Sequence, residues 1–376
     1  MTFRILSLDG GGIRGVLSAT ILETVESILW QKKQQKLHEY FDLIAGTSTG
    51  SILAAGIACE MEAAELTKIY QKRGKDIFLE GVSQQRQWRW LLGRLASRFA
   101  LYPHVQGDQG LAKVLEEELI YQGKSPNIGE IRSPHLLILA YDVLSRNTTW
   151  FTNNSPDQER WYDRLPLWEI CTSSASAPTF FPPYELRYTD GKSLPHIDGG
   201  VSANNPSLSA IAHALLIKKA EKLDLQDIVV LSIGTGKTTH PYTYQEIKGW
   251  GLVKWISNLP DIFLNPGAKN TEDICQQLIE SVGSTHLRLD FDLNEQFAGE
   301  KQPGKLRTLL AEPYNEYIFK KSGERKKISE EIDNPHICDD LIEAAKCYLK
   351  YGKISYKGED MPIESAIQGF ITSNEQ

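Results

Sequence analysis

Only five cysteines occur among 376 residues: Cys59, Cys171, Cys275, Cys338 and Cys347. No two form a Cys-x-x-Cys pair, and an odd number closes no disulfide framework, so reduced thiols in a cytosol are the simplest reading. No apolar run approaches the roughly 18 residues of a membrane span. The longest, Ile52 to Cys59, is far too short. The first residues, Met1 to Leu6, lack the basic stretch and long apolar core of a secretory leader. Positive charge is not in excess. The formal net charge is −7, which gives no general pull toward nucleic acid or an anionic membrane. Internal repeats and low-complexity tracts are missing as well. A cytoplasmic protein is expected, and if it meets a membrane it does so from the water side.

What is present is ordinary globular material, 41% hydrophobic and 24% charged, enough for a sizeable core. The length is long for one compact domain but within the range of α/β folds. Phe3 to Leu8 is a short apolar run ending in Asp9 and three glycines. Leu17, Ile21, Val25 and Ile28 then recur at helical spacing, with Lys32 and Lys33 near the end. Phe41 to Ala45 reads as a second buried strand, followed by an all-apolar helix over Ser51 to Cys59. Strands are predicted at 135–141, 148–152 and 228–233, and helices at 62–75, 109–119, 167–174 and 206–219. In that last helix Leu208, Ile211, Ala212, Leu215 and Leu216 form the apolar stripe, with Asn205 as N-cap, Pro206 at the first helical position and His213 on the surface. Alternating strands and helices argue for a mainly parallel sheet covered on both faces. Beyond about residue 240 the pattern weakens: Trp250 to Pro266 is rich in aromatics, 304–327 reads as a basic loop, and two helices are expected after it.

Three short segments carry chemistry. Gly46-Thr47-Ser48-Thr49-Gly50 is a G-x-S-x-G sequence between a predicted strand and a predicted helix, the context of a nucleophile elbow. A sharp turn there holds the serine in a strained conformation. Gly46 and Gly50 leave room for strand and helix to approach, and the helix N-terminus favours developing negative charge. Chance supplies on the order of 0.1 such matches in a chain of this length.

The second segment is Asp9-Gly10-Gly11-Gly12-Ile13-Arg14-Gly15. Glycines between a strand end and a helix start present several backbone N–H groups to an anion. In an acyl hydrolase they form an oxyanion hole, with Arg14 adding positive charge or fixing the loop. Gly10, Gly12 and Gly15 also satisfy the dinucleotide fingerprint G-x-G-x-x-G. That rival wants an acidic residue at the end of the second strand. Here Asp42 stands at its start, and the strand ends in Gly46-Thr47-Ser48. A phosphate loop over Gly234 to Thr238 fails too, because position 231, where the pattern needs glycine, is Leu231.

The third segment is His196-Ile197-Asp198-Gly199-Gly200. Taken alone, Asp-Gly is more often a turn than a site. An α/β-hydrolase triad runs Ser, Asp or Glu, then His. His196 precedes Asp198, and His213, His240, His286 and His336 have no recognisable setting, so no triad assembles from the sequence.

Together these blocks resemble the three signatures of patatin-like phospholipases. They are Asp9 to Gly15, Gly46 to Gly50 after Phe41 to Ala45, and Asp198 to Gly200, with Gly200 where family members often carry alanine. Ser173 to Pro183 is similar to the family's segment before its aspartate. The resemblance covers residues 4 to about 236 and implies a three-layer α/β/α sandwich with a Ser48–Asp198 dyad. Ser48 would attack an ester carbonyl while Asp198 takes its proton. The amides of Gly11 and Gly12, with Arg14, would hold the oxyanion, and water would release the acyl group. A carboxylate is a weak base for serine, so desolvation should raise its pKa.

On this reading residues 1–236 form the catalytic core and 237–376 a C-terminal extension packed on it, able to house a lid or regulatory elements. The substrate is a lipid acyl ester, and neither metal nor organic cofactor is expected. A dinucleotide-dependent enzyme built on the glycine loop and a low-activity interaction or storage protein of the same fold remain alternatives. For membrane contact the sequence offers Arg86 to Phe99, with Trp88, Leu91, Leu92, Leu95 and Phe99 on one helical face, and Trp250 to Leu264, with Trp255, Ile256 and Phe263. Packing on the core or on a partner chain is the favoured reading of the first segment, and core packing, ahead of a lid or membrane contact, that of the second.

Overall fold

A computed structural model of the chain describes residues 2–79, 102–153, 160–188, 190–219, 222–237, 244–294 and 314–373. Over most of 252–265 it describes only the backbone. The Arg86 to Phe99 segment lies outside these residues, as do the side chains of Trp255, Ile256 and Phe263.

The central strands are apolar on both faces, and their residues sort by parity. On β1 (Phe3–Leu8), Phe3 and Ile5 join one apolar cluster while Leu6 and Leu8 join another. The same alternation runs through β2 (Leu43–Thr47), β3 (His135–Asp142) and β7 (Ile228–Ile233). A strand with two apolar faces needs cover on both. One face is covered by α1 (Gly15–Lys33), the short α2 (Leu37–Tyr40), α3 (Thr49–Ala58), α4 (Ala63–Ile77) and the C-terminal helices Cys338–Tyr351 and Ile363–Ser373. The helix Ser207–Ile217, with Cys275 and Ile279 of the long helix Leu252–Ser281, covers the other. The result is a three-layer α/β/α sandwich.

The sheet runs β5–β6–β3–β2–β1–β7–β8, with β5 at Tyr184–Arg187, β6 at Ser193–Asp198 and β8 at His286–Leu289. β1, β2, β3, β7 and β8 are parallel. β6 and β4 (Asn147–Thr152) pair antiparallel to β3, and β5 pairs antiparallel to β6. Thr47 of β2 and Trp150 of β4 flank Leu139, while Asp198 of β6 and Thr149 of β4 flank Ala140. β2 and β6 therefore share one edge of β3, and β6 takes over where β2 stops. β2 itself starts two residues later than its apolar pattern suggests, because the Asp42 carboxylate accepts from the Arg4 N–H at 2.7 Å before the ladder begins.

Several local expectations are corrected. The buried face of Ser207–Ile217 is Ser207, Ala210, Ile211, His213 and Ala214, so Leu208 and Leu216 face outward. His213 is buried edge-on against Trp150, not on the surface. Small residues line the sheet side because the helix packs close to β1 and β2. The N-cap is Pro206 rather than Asn205; Asn205 stands one residue before it, its side chain accepting from Ser207 N–H at 2.9 Å in a local turn. The aromatic stretch from Trp250 to Pro266 falls largely within one helix, Leu252–Ser281, which runs through Pro260 and Pro266. Within 304–327 the helix Glu316–Ser322 interrupts the expected loop. All five cysteines are free and buried. Among the described residues no helix is long and apolar enough to cross a membrane.

Candidate active site

Ser48 occupies the bend between β2 and α3 with φ 54° and ψ −125°, a conformation that costs a non-glycine residue on the order of 1–3 kcal/mol. Neighbours hold it there. Its N–H donates to Ser174 Oγ at 2.9 Å, and its carbonyl accepts from Ser51 N–H at 2.9 Å and Ser51 Oγ at 2.6 Å. The flanking glycines are set by close approach. A Cβ on Gly46 would stand 2.2 Å from the Gly50 carbonyl oxygen, and one on Gly50 would stand 2.1 Å from that of Leu8.

Asp198 ends β6, buried, and Ser48 Oγ donates to its Oδ2 at 2.6 Å. Its Oδ1 accepts from Gly200 N–H at 2.7 Å. The adjoining backbone is tied to the segment that also anchors Ser48: Asp198 N–H donates to Ser176 O at 3.0 Å and Gly199 N–H to Ser174 O at 3.1 Å. Burial pushes the Asp198 carboxyl up to about 6, with the bonds from Ser48 and Gly200 opposing it. No histidine is among its partners in the described residues. His196 is turned to Thr149 Oγ1, 3.0 Å from its Nε2, and to Leu194 O, 2.9 Å from its Nδ1.

The glycine loop lies against this pair. Gly10 N–H donates to Asn204 O at 3.1 Å, and Gly10 O accepts from Thr235 Oγ1 at 3.0 Å and Asn204 Nδ2 at 3.3 Å. Gly12 has φ 60°, and a Cβ on it would stand 2.2 Å from Ile332 O, which accepts from Ile13 N–H at 2.8 Å. Gly15 opens α1 next to Thr49. No acceptor among the described residues takes the N–H of Gly11 or Gly12. Just before the loop, Arg288 holds Asp9 through two bonds, Nη1 to Oδ1 at 3.0 Å and Nη2 to Oδ2 at 2.6 Å.

The serine, the carboxylate and the glycine loop border one cleft. Gly10, Gly11, Gly12, Arg14, Ser48 and Asp198 meet there with Ile52, Ile77, Phe78, Leu111, Phe180 and Phe181. A hydroxyl bonded to a buried carboxylate, free amides beside it and apolar walls can accept an acyl ester and stabilise charge on its carbonyl oxygen.

Five contributing residues did not emerge from the sequence. Ser174 lies inside the Ser173 to Pro183 segment, and Asn204 stands four residues beyond the third block. Thr235 belongs to the Gly234 to Thr238 segment, which fails as a phosphate loop and offers no other role in the sequence. Arg288 and Ile332 carry no local signal at all.

The family model of patatin-like phospholipases matches residues 6–211. Patatin-like protein 3 of Arabidopsis thaliana is 30% identical over 287 residues, covering 67% of this chain and 63% of that protein. Patatin-like protein 1 of Oryza sativa subsp. indica is 31% identical over 293 residues, covering 69% and 66%. The match thus spans just under two thirds of each of these relatives. Among solved structures, human GIVD cytosolic phospholipase A2 aligns with a TM-score of 0.46 at 12% identity, over 99% of this chain and 60% of that one. With more than half of its residues inside the family model, the chain belongs to the patatin-like phospholipase family.

Proposed function

We propose that the chain is a serine lipid acyl hydrolase of the phospholipase A or lysophospholipase type, with Ser48 as nucleophile and Asp198 as base. The observation that carries this reading is the 2.6 Å bond from Ser48 Oγ to a buried carboxylate, made at a strained bend facing an apolar cleft. Family membership supports the same chemistry.

Ser48 Oγ attacks the ester carbonyl carbon as its proton passes to Asp198 Oδ2. The carbonyl oxygen becomes an oxyanion, held by the N–H groups of Gly11 and Gly12, the charge of Arg14 and the N-terminus of α3. Collapse breaks the ester bond, and the departing alcohol takes the proton from Asp198. Water then attacks the acyl-enzyme, giving a proton to Asp198, and the second collapse returns that proton to Ser48 Oγ and frees the fatty acid. The substrate reaches the cleft from a membrane surface or a dispersed lipid, with its acyl chain against Phe78, Phe180 and Phe181.

The dinucleotide alternative is less well supported. Its pyrophosphate would need a run of free amides in the turn that leads into α1, yet Ile13 N–H there is already bonded to Ile332 O. The test is fluorophosphonate labelling with a lipid panel on wild type, Ser48→Ala and Asp198→Asn. Labelling and cleavage should vanish in the first variant and fall steeply in the second. Survival of both in both variants would refute the reading. Intact NAD binding with indifference to Ser48→Ala would favour the nucleotide alternative.

A further inference from the structure

Arg288 comes from β8, far beyond the matched family region, yet it reaches the catalytic half of the chain. Along the sheet it pairs with Ser232 of β7, and Ser232 pairs with Ser7 of β1. From there its guanidinium extends to Asp9, the residue between the end of β1 and Gly10. Nη1 also donates to Ser232 Oγ at 2.7 Å, and Nη2 to Asp290 Oδ2 at 3.0 Å. Glu272 stands further off, its Oε2 3.8 Å from Nε. Asp9, Asp290 and Arg288 are all nearly inaccessible, with side-chain exposures of 4%, 4% and 9%.

Buried ion clusters are an inefficient way to join strands, because desolvation consumes most of their Coulomb gain. What a two-pronged guanidinium–carboxylate contact supplies is geometry. Two parallel bonds fix the Asp9 side chain, and with it the direction in which the backbone leaves β1. Gly10, Gly11 and Gly12 inherit that direction. Donors in an oxyanion hole must hold their place to within a fraction of an ångström. The cation also offsets a carboxylate that would otherwise oppose negative charge developing near the loop.

We propose that Arg288 is a positioning residue for the oxyanion loop, acting through Asp9. This rests on the reading of the glycine loop given above. Ile332 complements it from the other side, its carbonyl covering Gly12 and Ile13.

The test uses the full chain with Arg288→Lys, Arg288→Gln, Asp9→Asn and the double variant Asp9→Asn/Arg288→Gln. Each is assayed for ester turnover, rate of fluorophosphonate labelling and thermal midpoint. Arg288→Lys keeps the charge but loses the fork. It should stay folded and lower kcat about tenfold, with KM changed less than twofold and labelling slowed in parallel, since only the transition state uses the hole. The double variant should lose no more than the worse single variant, because both act through one contact. A folded Arg288→Lys protein with wild-type kcat would overturn the proposal, as would single losses that multiply in the double variant. Should Arg288→Gln fail to fold, Arg288→Lys and the double variant decide. Ser48→Ala separates the two readings. Turnover that survives it sinks the serine mechanism itself, whereas Ser48-dependent turnover indifferent to Arg288 sinks only this inference.

Discussion

Thr47 and Asp198 lie against neighbouring residues of a single strand, Thr47 opposite Leu139 and Asp198 opposite Ala140. β2 ends at Thr47, and the antiparallel β6 arrives on the same edge of β3 to finish the ladder. The residue after Thr47 is therefore delivered to the last residue of β6. Two side chains 150 positions apart meet through strand register, not through a loop contact.

The first prediction concerns that pair. Ser48→Ala should abolish covalent labelling and lower kcat by about 10⁴-fold or more, and Asp198→Asn should lower it by about 10³-fold. Both proteins should unfold cooperatively, so circular dichroism paired with turnover checks the claim. An Asp198→Asn enzyme with near-normal kcat would remove the carboxylate from the mechanism.

Acidity provides a second test. The base must be ionised, and burial holds its pKa at about 6, so kcat/KM should rise with pH through about 6 and level off above it. The stability effect has the opposite sense. The folded state binds this proton more tightly than the unfolded chain, whose carboxyl titrates near 3.8. The stabilisation is full below 3.8 and lost as pH rises through about 6. At pH 8 the buried carboxylate costs about 3 kcal/mol, so Asp198→Asn should raise the thermal midpoint there and not at pH 4. Calorimetry at the two pH values measures it.

Cleft shape yields a third. Ala177 lines the apolar wall beside Phe180 and Phe181. Ala177→Phe should cut kcat/KM for long acyl esters by more than about tenfold while sparing acetyl esters, because a larger side chain removes room only the chain needs. Equal losses on both would argue that acyl chains bind elsewhere.

His213 supplies a fourth, independent of catalysis. Burial pulls its pKa down to about 4, so the ring is neutral in the folded protein. Its contribution is present above the unfolded value near 6.5 and is lost as pH falls through about 4. His213→Leu should shift the acid-unfolding midpoint to lower pH, with little change in Tm at pH 8. No shift would mean that the ring reaches water.

Much of this arrangement is legible in the sequence where local chemistry dictates structure. Gly46 and Gly50 around Ser48, the glycine run after Asp9 and the parity of the β1 and β7 residues each follow from sterics or periodicity at a few positions. The contact between Ser48 and Asp198 is not local, since it depends on β6 pairing antiparallel in an otherwise parallel centre. Apolar periodicity picks out Leu208 and Leu216 and so turns His213 outward, whereas the sheet accepts Ala210, Ile211 and Ala214 at close range and His213 is buried beside them. β8, Arg288 and Ile332 carried no signal, because a four-residue strand and a lone carbonyl have none until the chain is folded.

The sheet does not stop where the recognisable motifs do. A fragment cut after residue 236 would retain the hydroxyl, the carboxylate and every motif glycine. It would nonetheless strip β7 of its neighbour, leave a raw hydrogen-bonding edge prone to self-association, and orphan Asp9. The smallest excisable unit expected to fold and work is accordingly larger than the stretch its signatures mark out.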